Sequence, residues 1–449
     1  MQHVETVLRS VIGRPFEFEC SEIIVKGILD HEEPLFQGPG TISGGVDGQI
    51  AFRLFDQSPE RENRLPRILE SINSQQSLRL FGTDFHETQW TGGWFVPDVR
   101  FSDGGHAVVS GELPSIGARV KLGFGAEWTN STALYYAEKL ALPMQSATET
   151  EVRRDDEIVF RSRRTDHSRI SDSQFSIEIR EDLTSGFTEV IAQNRPGLMP
   201  PIAEIGLADA LAYVLCRISR PRVVVRSSDN DAQIIIRVCT LNARTRLPDP
   251  IGGHPQKTTA CWEIFKAFLR QYVGWEELSP VATANHLYEV ISASNGTVHG
   301  FMASLVLAIE GLFSQLGDPP SEELKEVFNS LHQYLAKWPG DGEMKERAQG
   351  LLSGLARRSH KSILQTLANA SVLRPEEVES WLALRPKIAH GHIVDVSDEE
   401  IWAHRGRLIT MFHRLILRTI GYHGPITDFS GSQLQFVTFD WKESETPGE

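Results

Sequence analysis

The chain has 449 residues with 45 basic and 59 acidic side chains, a formal charge of −14. That balance excludes a generally basic nucleic-acid coat or membrane-surface protein and leaves only local cationic patches open. A hydrophobic content of 40% with 23% charged residues excludes wholesale disorder, and the length suggests two or three domains at roughly 100–200 residues each.

In chain order, the N-terminal stretch MQHVETVLRSVIGRPFEF has neither an apolar signal core nor a small-residue cleavage site. Segments 16–29, 49–55, 94–101, 106–113 and 119–124 are β-branched or aromatic, and turn chemistry separates them: Gly38-Pro39-Gly40, Gly44-Gly45, Asp47-Gly48, Gly92-Gly93 and Asp103-Gly104-Gly105. This spacing predicts an antiparallel sandwich or barrel. A short helix is expected at 131–142, ended by Pro143, and the polar run 145–157 reads as a loop or sub-boundary. Strands follow near 173–179, 222–227 and 233–239 around a helix at 207–218, and the Pro/Gly-rich stretch 246–255 reads as a linker.

Beyond it the pattern changes to amphipathic helices at 259–273, 280–292, 298–316, 321–338, 343–356, 375–384 and 398–417, then a short strand at 434–439 and an acidic tail. The fold class expected is therefore α+β and multidomain: a β-rich, sandwich- or barrel-like N-terminal domain over 1–250, an all-α helical bundle over 258–430, and a tail over 431–449. Cys20, Cys216, Cys239 and Cys261 are too scattered for a disulfide framework or a zinc ribbon. No apolar run reaches the roughly 20 residues of a membrane span. A cytoplasmic protein is expected, with no membrane partner, metal or other cofactor.

No P-loop, dinucleotide fingerprint, G-x-S-x-G or H-E-x-x-H occurs. The informative stretch is 381-WLALRPKIAHGHIVD-395, which sets Arg385, Lys387, His390 and His392 within eight residues. Arginine grips phosphate through a planar fork of donors, and histidine moves protons near neutral pH. Together they suffice to cleave RNA without metal: histidine deprotonates a ribose 2′-hydroxyl, which attacks phosphorus while arginine stabilises the developing charge. On an unbroken helix Arg385 and His390 lie about 140° apart, whereas Arg385 and His392 are nearly in register. Pro386 and Gly391 suggest a bend instead. A solvated Arg beside a helix-capping His explains the same spacing, and His390 with His392 could alternatively supply two of the three or four ligands a zinc ion needs.

The segment Arg385-Pro386-Lys387-Ile388-Ala389-His390-Gly391 resembles the R-x4-6-H motif of HEPN domains, the all-helical ribonuclease domains of toxins and antiviral systems. The helices around it are similar to the HEPN layout over roughly 258–422. The whole chain resembles the ApeA type of HEPN protein, in which a β-rich domain precedes the nuclease in anti-phage abortive infection. The resemblance implies Arg385 as the phosphate contact, His390 as the catalytic base with His392 in reserve, and Glu310 as an acidic residue from an earlier helix orienting His390 or Arg385. It also implies a homodimer or higher homo-oligomer, RNA as substrate with tRNA anticodon loops among the targets, and an N-terminal domain that restrains the nuclease until a phage-derived ligand is sensed. Pro386 departs from the Asn, Asp or His that many members carry there, which keeps a catalytically inert RNA-binding or adaptor module as the alternative.

On 398–420, His404, Arg407, Arg414 and Arg418 fall within about 80° of one another with Met411 on the same stripe, a face that with Lys387 could follow an RNA backbone. Arg357, Arg358, His360 and Lys361 form a second basic cluster, equally readable as solvated surface. Trp90, Trp94, Phe95, Phe101 and Trp128 read as core. Residues 1–256 hold 27 basic and 35 acidic side chains against 17 and 20 in 257–430, so the acidity lies mainly outside the helical part.

Overall fold

The computed structural model describes residues 7–8, 10–27, 33–45, 48–57, 78–101, 107–121, 130–154, 157–182, 186–193, 198–228, 230–239, 247–316, 322–355, 360–392, 396–431 and 433–442. The chain forms two compact units, Met1–Ala243 with Gln271–Ser279, and Arg244–Arg270 with Pro280–Glu449. The first is β-rich and the second mainly helical.

The first unit contains β1 (Phe16–Lys26), β2 (Phe36–Gly44), β3 (Ile50–Phe55), β4 (Leu78–Asp84), β5 (Gln89–Phe95), β6 (Asp98–Phe101), β7 (Ala107–Glu112), β8 (Ser115–Lys121) and β9 (Ser131–Tyr136). β10 (Ser146–Arg154), β11 (Glu157–Ser171), β12 (Ser176–Asp182), β13 (Phe187–Gln193), α1 (Ile202–Leu215), β14 (Val223–Ser227) and β15 (Asp231–Arg237) complete it. One sheet joins them in the order β10-β11-β12-β13-β9-β14-β15-β8-β5-β4-β1-β2-β3-β7-β6, and its described ladders are antiparallel, as in β14 on β9 with Val224 opposite Leu134. Alternation drives the assembly: Ile23 and Val25, Ile42, Leu54, Leu80, Ile116, Ile234 and Ile236 turn to one face and join a single apolar cluster. Trp90 belongs to that core, 1% exposed, with its indole N–H donating to Asp84 Oδ2 at 3.0 Å, and Phe95 is also buried. The side chains of Trp94, Phe101 and Trp128 lie outside the described residues.

Three expectations are corrected here. Residues 131–136 are strand, not helix. β9 is buried at all six positions between β13 and β14, and a strand covered on both faces loses the alternation that identifies strands in sequence. Residues 146–154 are strand, not loop: β10 pairs with β11 there at one end of the sheet, where strands are often polar and so resemble loops in sequence. Gly38-Pro39-Gly40 lies inside β2 rather than in a turn. A Cβ on Gly38 would meet Phe55 O at 2.0 Å and one on Gly40 would meet Arg53 O at 2.1 Å, so these glycines permit backbone approach to β3.

On α1, buried Glu204 is held by Arg226 (2.6 Å) and Arg237 (2.5 Å), and Tyr272 of the returning segment 271–279 donates to Asp209. An open cleft of about 450 Å³ on β11–β13 is lined by Asp166, His167, Glu178, Arg180, Phe187 and Glu189, among others.

The second unit holds α2 (Lys257–Arg270), α3 (Ala282–Ala293), α4 (Val298–Leu316), α5 (Glu322–Lys337), α6 (Gly342–Leu355), α7 (His360–Asn369), α8 (Pro375–Ala389) and α9 (Asp398–Thr419), followed by the β16 (Gly424–Asp428) and β17 (Gln435–Phe439) hairpin. α4 is its centre: Phe301, Met302, Leu305, Val306, Ala308, Ile309, Leu312 and Phe313 are buried, and α3, α7, α8 and α9 pack on it. The segment before α2 is tied in by Thr427 N–H to Pro250 O (2.8 Å) and by His413 Nε2 to Pro248 O (3.0 Å). Among the described residues no helix is long and apolar enough to cross a membrane. All four cysteines are free and buried.

Candidate active site

α8 begins at Pro375, the favoured residue for a first helical turn. Its capping box has the Arg374 N–H donating to Glu377 Oε2 at 3.0 Å. Trp381 and Leu384 turn inward, and the Trp381 indole N–H donates to Val306 O of α4 at 3.3 Å. One turn further along both helices stand Arg385 and Glu310. The i, i+4 periodicity that brings Trp381 to Val306 thus brings the next pair together as well. Arg385 Nε and Nη2 donate to Glu310 Oε2 and Oε1 at 3.1 and 3.0 Å, a bidentate fork with side chains 37% and 25% exposed. Hydrogen bonding to Glu310, reinforced by its charge, raises the arginine further above its ordinary value. Two N–H on Nη1 and one on Nη2 remain for a ligand.

Pro386 does not end the helix: α8 runs through it to Ala389. His390 is the C-cap, its N–H donating to Pro386 O at 3.1 Å, and Gly391 follows at φ +75°. The five-residue spacing therefore keeps its helical value, about 140° of rotation and about 7.5 Å of rise. Among the described residues no hydrogen bond or ion pair joins Arg385 to His390. His390 and His392 are both exposed. Among the described residues no group of three or more His, Cys, Asp or Glu is arranged to hold a metal.

What the sequence does not disclose is His360. It opens α7, and its Nδ1 lies 3.6 Å from Glu310 Oε1, the oxygen that also accepts from Arg385. Its ring stands edge-on to Trp381 (5.9 Å, 85°) and tilted to Phe313 (6.1 Å, 47°). In sequence it appears only within a basic cluster 50 positions from Glu310, so spacing carries no signal of the pairing. Its companions Arg357 and Arg358 lie outside the described residues.

The cationic stripe on α9 is divided. Lys387 reaches Glu400 Oε1 at 2.5 Å, in the first turn of α9, where the Ser397 Oγ cap accepts from Glu400 N–H at 3.2 Å. His404 and Arg407 follow, both half-buried. Burial lowers the His404 pKa, with Arg407 and Lys387 adding to the effect and Glu400 opposing it.

Arg414, by contrast, is not on an RNA-facing surface. It is 6% exposed, with Nε 3.2 Å from Glu377 Oε1 of a fully buried carboxylate and its guanidinium 5.5 Å from the Phe439 ring centre. Met411 is buried beside it. Arg418 lies half-buried, its guanidinium 3.5 Å from the Trp441 ring centre. Helical angle alone does not reveal that the second half of α9 is enclosed on every side: residues 408 to 417 are all buried.

Fold and site together define an α+β protein of two compact units whose helical unit carries a carboxylate-centred cluster of arginine and histidine. No family model and no curated protein matches the chain.

Proposed function

We propose that the helical unit is a metal-independent endoribonuclease of the HEPN kind, acting in anti-phage defence and regulated by the β-rich unit. The observation that carries the reading is the Glu310–Arg385 fork at a half-exposed position, with His360 3.6 Å from the same carboxylate. Glu310 holds the guanidinium plane, and the three remaining N–H bind a phosphodiester and the charge that builds on it in the transition state. A histidine takes the 2′-hydroxyl proton, O2′ bonds to phosphorus, and the P–O5′ bond breaks, leaving a 2′,3′-cyclic phosphate and a 5′-hydroxyl. His390 is the base that the motif suggests, with His392 in reserve. Lys387 and Arg407 supply the flanking charge for the RNA backbone, with His404 beside them as an uncharged hydrogen-bonding group, tRNA loops are the substrate class, and the chain acts as a homodimer.

Expression of the full chain and of Arg385→Ala in phage-challenged cells, with RNA ends mapped afterwards, tests this. Wild type should fragment RNA to 5′-hydroxyl ends and slow growth, and Arg385→Ala should do neither. Equal fragmentation by both, or none by either, sinks the proposal.

A second reading has its own observation. Glu310 already engages two faces of the Arg385 fork, as a pair stapling α4 to α8 would, and a catalytically inert RNA-binding or adaptor module follows. RNA retention on the purified chain that survives Arg385→Ala, without cleavage, would favour it.

A further inference from the structure

We propose that His360, not His390, is the general base of this site. The inference rests on the ribonuclease reading above and names the residue that performs its proton transfer.

Glu310 Oε1 is shared: Arg385 Nη2 lies 3.0 Å from it and His360 Nδ1 3.6 Å from it. Two nitrogens on one oxygen can be no farther apart than those distances laid end to end, less than about 7 Å, so the guanidinium and the imidazole are neighbours. Among the described residues no ion pair of this kind joins His390 to Glu310 or Arg385. His390 is five residues along the helix from Arg385, about 140° around it.

Orientation favours His360 as well. The Glu310 carboxylate beside Nδ1 favours the Nδ1–H tautomer, which leaves the Nε2 lone pair as acceptor. The flanking Trp381 and Phe313 rings restrict rotation of the imidazole, while a side-chain exposure of 40% leaves one edge open. In the step itself His360 Nε2 accepts the 2′-hydroxyl proton as the O2′–P bond forms. The P–O5′ bond breaks, and the departing O5′ takes a proton from solvent water. Arg385 holds the phosphoryl oxygens, and Glu310 is a positioning residue for both.

The test uses the purified full chain in EDTA with an end-labelled RNA, comparing wild type with Arg385→Ala, His360→Ala, His360→Gln and His390→Ala. The thermal midpoint of each variant is taken alongside. Cleavage should fall at least about 100-fold in both His360 variants, and imidazole should restore His360→Ala at least about tenfold, which a structural role cannot explain. His390→Ala should lose less activity than either His360 variant. Histidine-selective ¹⁵N spectra of the RNA-free chain give a readout apart from activity: His360 should show the Nδ1–H tautomer, and Glu310→Gln should abolish that preference. If wild type cuts and Arg385→Ala does not, yet either folded His360 variant cuts at the wild-type rate, the assignment of His360 fails and the ribonuclease reading stands. Loss without imidazole rescue, or an Nε2–H tautomer in wild type, overturns it too. An inactive wild type overturns the ribonuclease reading itself.

Discussion

At the scale of single residues, the Glu310–Arg385 pair separates function from stability. Both side chains are partly exposed, and solvent screening limits such a pair to about 0–1 kcal/mol. Glu310→Gln should therefore lower the unfolding free energy by less than about 1 kcal/mol in urea titrations, while reducing RNA cleavage about 100-fold through a misplaced arginine. A stability loss of several kcal/mol with cleavage retained would make the pair a staple only. The sequence announces half of this cluster. Arg385 stands out because it begins a motif, and Glu310 because a lone carboxylate in an apolar helix is conspicuous. His360 does not stand out, since its partner is 50 residues upstream and the link exists only once α7 packs on α4. The motif's own histidine illustrates the opposite limit: counting residues from Arg385 to His390 says nothing of direction, and α8 continues through Pro386 to Ala389.

At the scale of elements, α9 shows why a charge stripe can mislead. Arg414 is internal, and its partner Glu377 is pushed up to about 7 by burial against the opposing pull of Arg414. Removing the arginine strands a buried carboxylate, so Arg414→Met should cost about 3–5 kcal/mol. The loss should deepen as pH rises, because an unpaired Glu377 must either stay protonated or ionise in an apolar setting. The double variant Glu377→Leu with Arg414→Met should recover much of that loss, and denaturant melts of the three proteins check the order. The same helix meets the segment after β16 at Gly406, where a Cβ would lie 1.9 Å from Phe429 O. Gly406→Ala should cost about 1–3 kcal/mol by forcing that backbone away, despite alanine's better helix propensity, and a neutral or stabilising result would refute the contact. Sequence identifies α9 well from its apolar spacing, placing at 398–417 a helix that spans Asp398–Thr419. It fails for β9 and β10, one buried on both faces and the other polar at the sheet's end, because both strands lack the alternation that a reader looks for.

At the scale of the whole molecule, the division into a β-rich and a helical part is legible because hydrophobic periodicity changes from two to 3.6 near residue 250. The return of 271–279 to the first unit is not, since one tyrosine bonding to Asp209 leaves no periodic trace. Stability of the chain should carry the stamp of two buried groups with opposite pH responses. Burial pushes His413 down to about 4, so the unfolded chain binds its proton between pH 6.5 and 4 while the native state refuses it. That contribution is present above 6.5 and lost as pH falls through 4, about 3 kcal/mol at about 1.4 kcal/mol per unit. Glu377, pushed up to about 7, keeps a proton that the unfolded chain releases above 4.5. Its contribution is present below 4.5 and lost as pH rises through 7. Between about 4.5 and 6.5 the two slopes oppose each other, and their combined effect on wild type should be nearly flat there. His413→Gln, which retains an N–H for Pro248 O, should remove one slope and make stability fall with rising pH relative to wild type. Glu377→Gln should do the reverse, with stability falling as pH drops from 6.5 to 4. Urea midpoints of the three chains at half-unit intervals test both signs, since every other titrating group is common to them. Parallel profiles would show that neither burial governs the pH response of this fold.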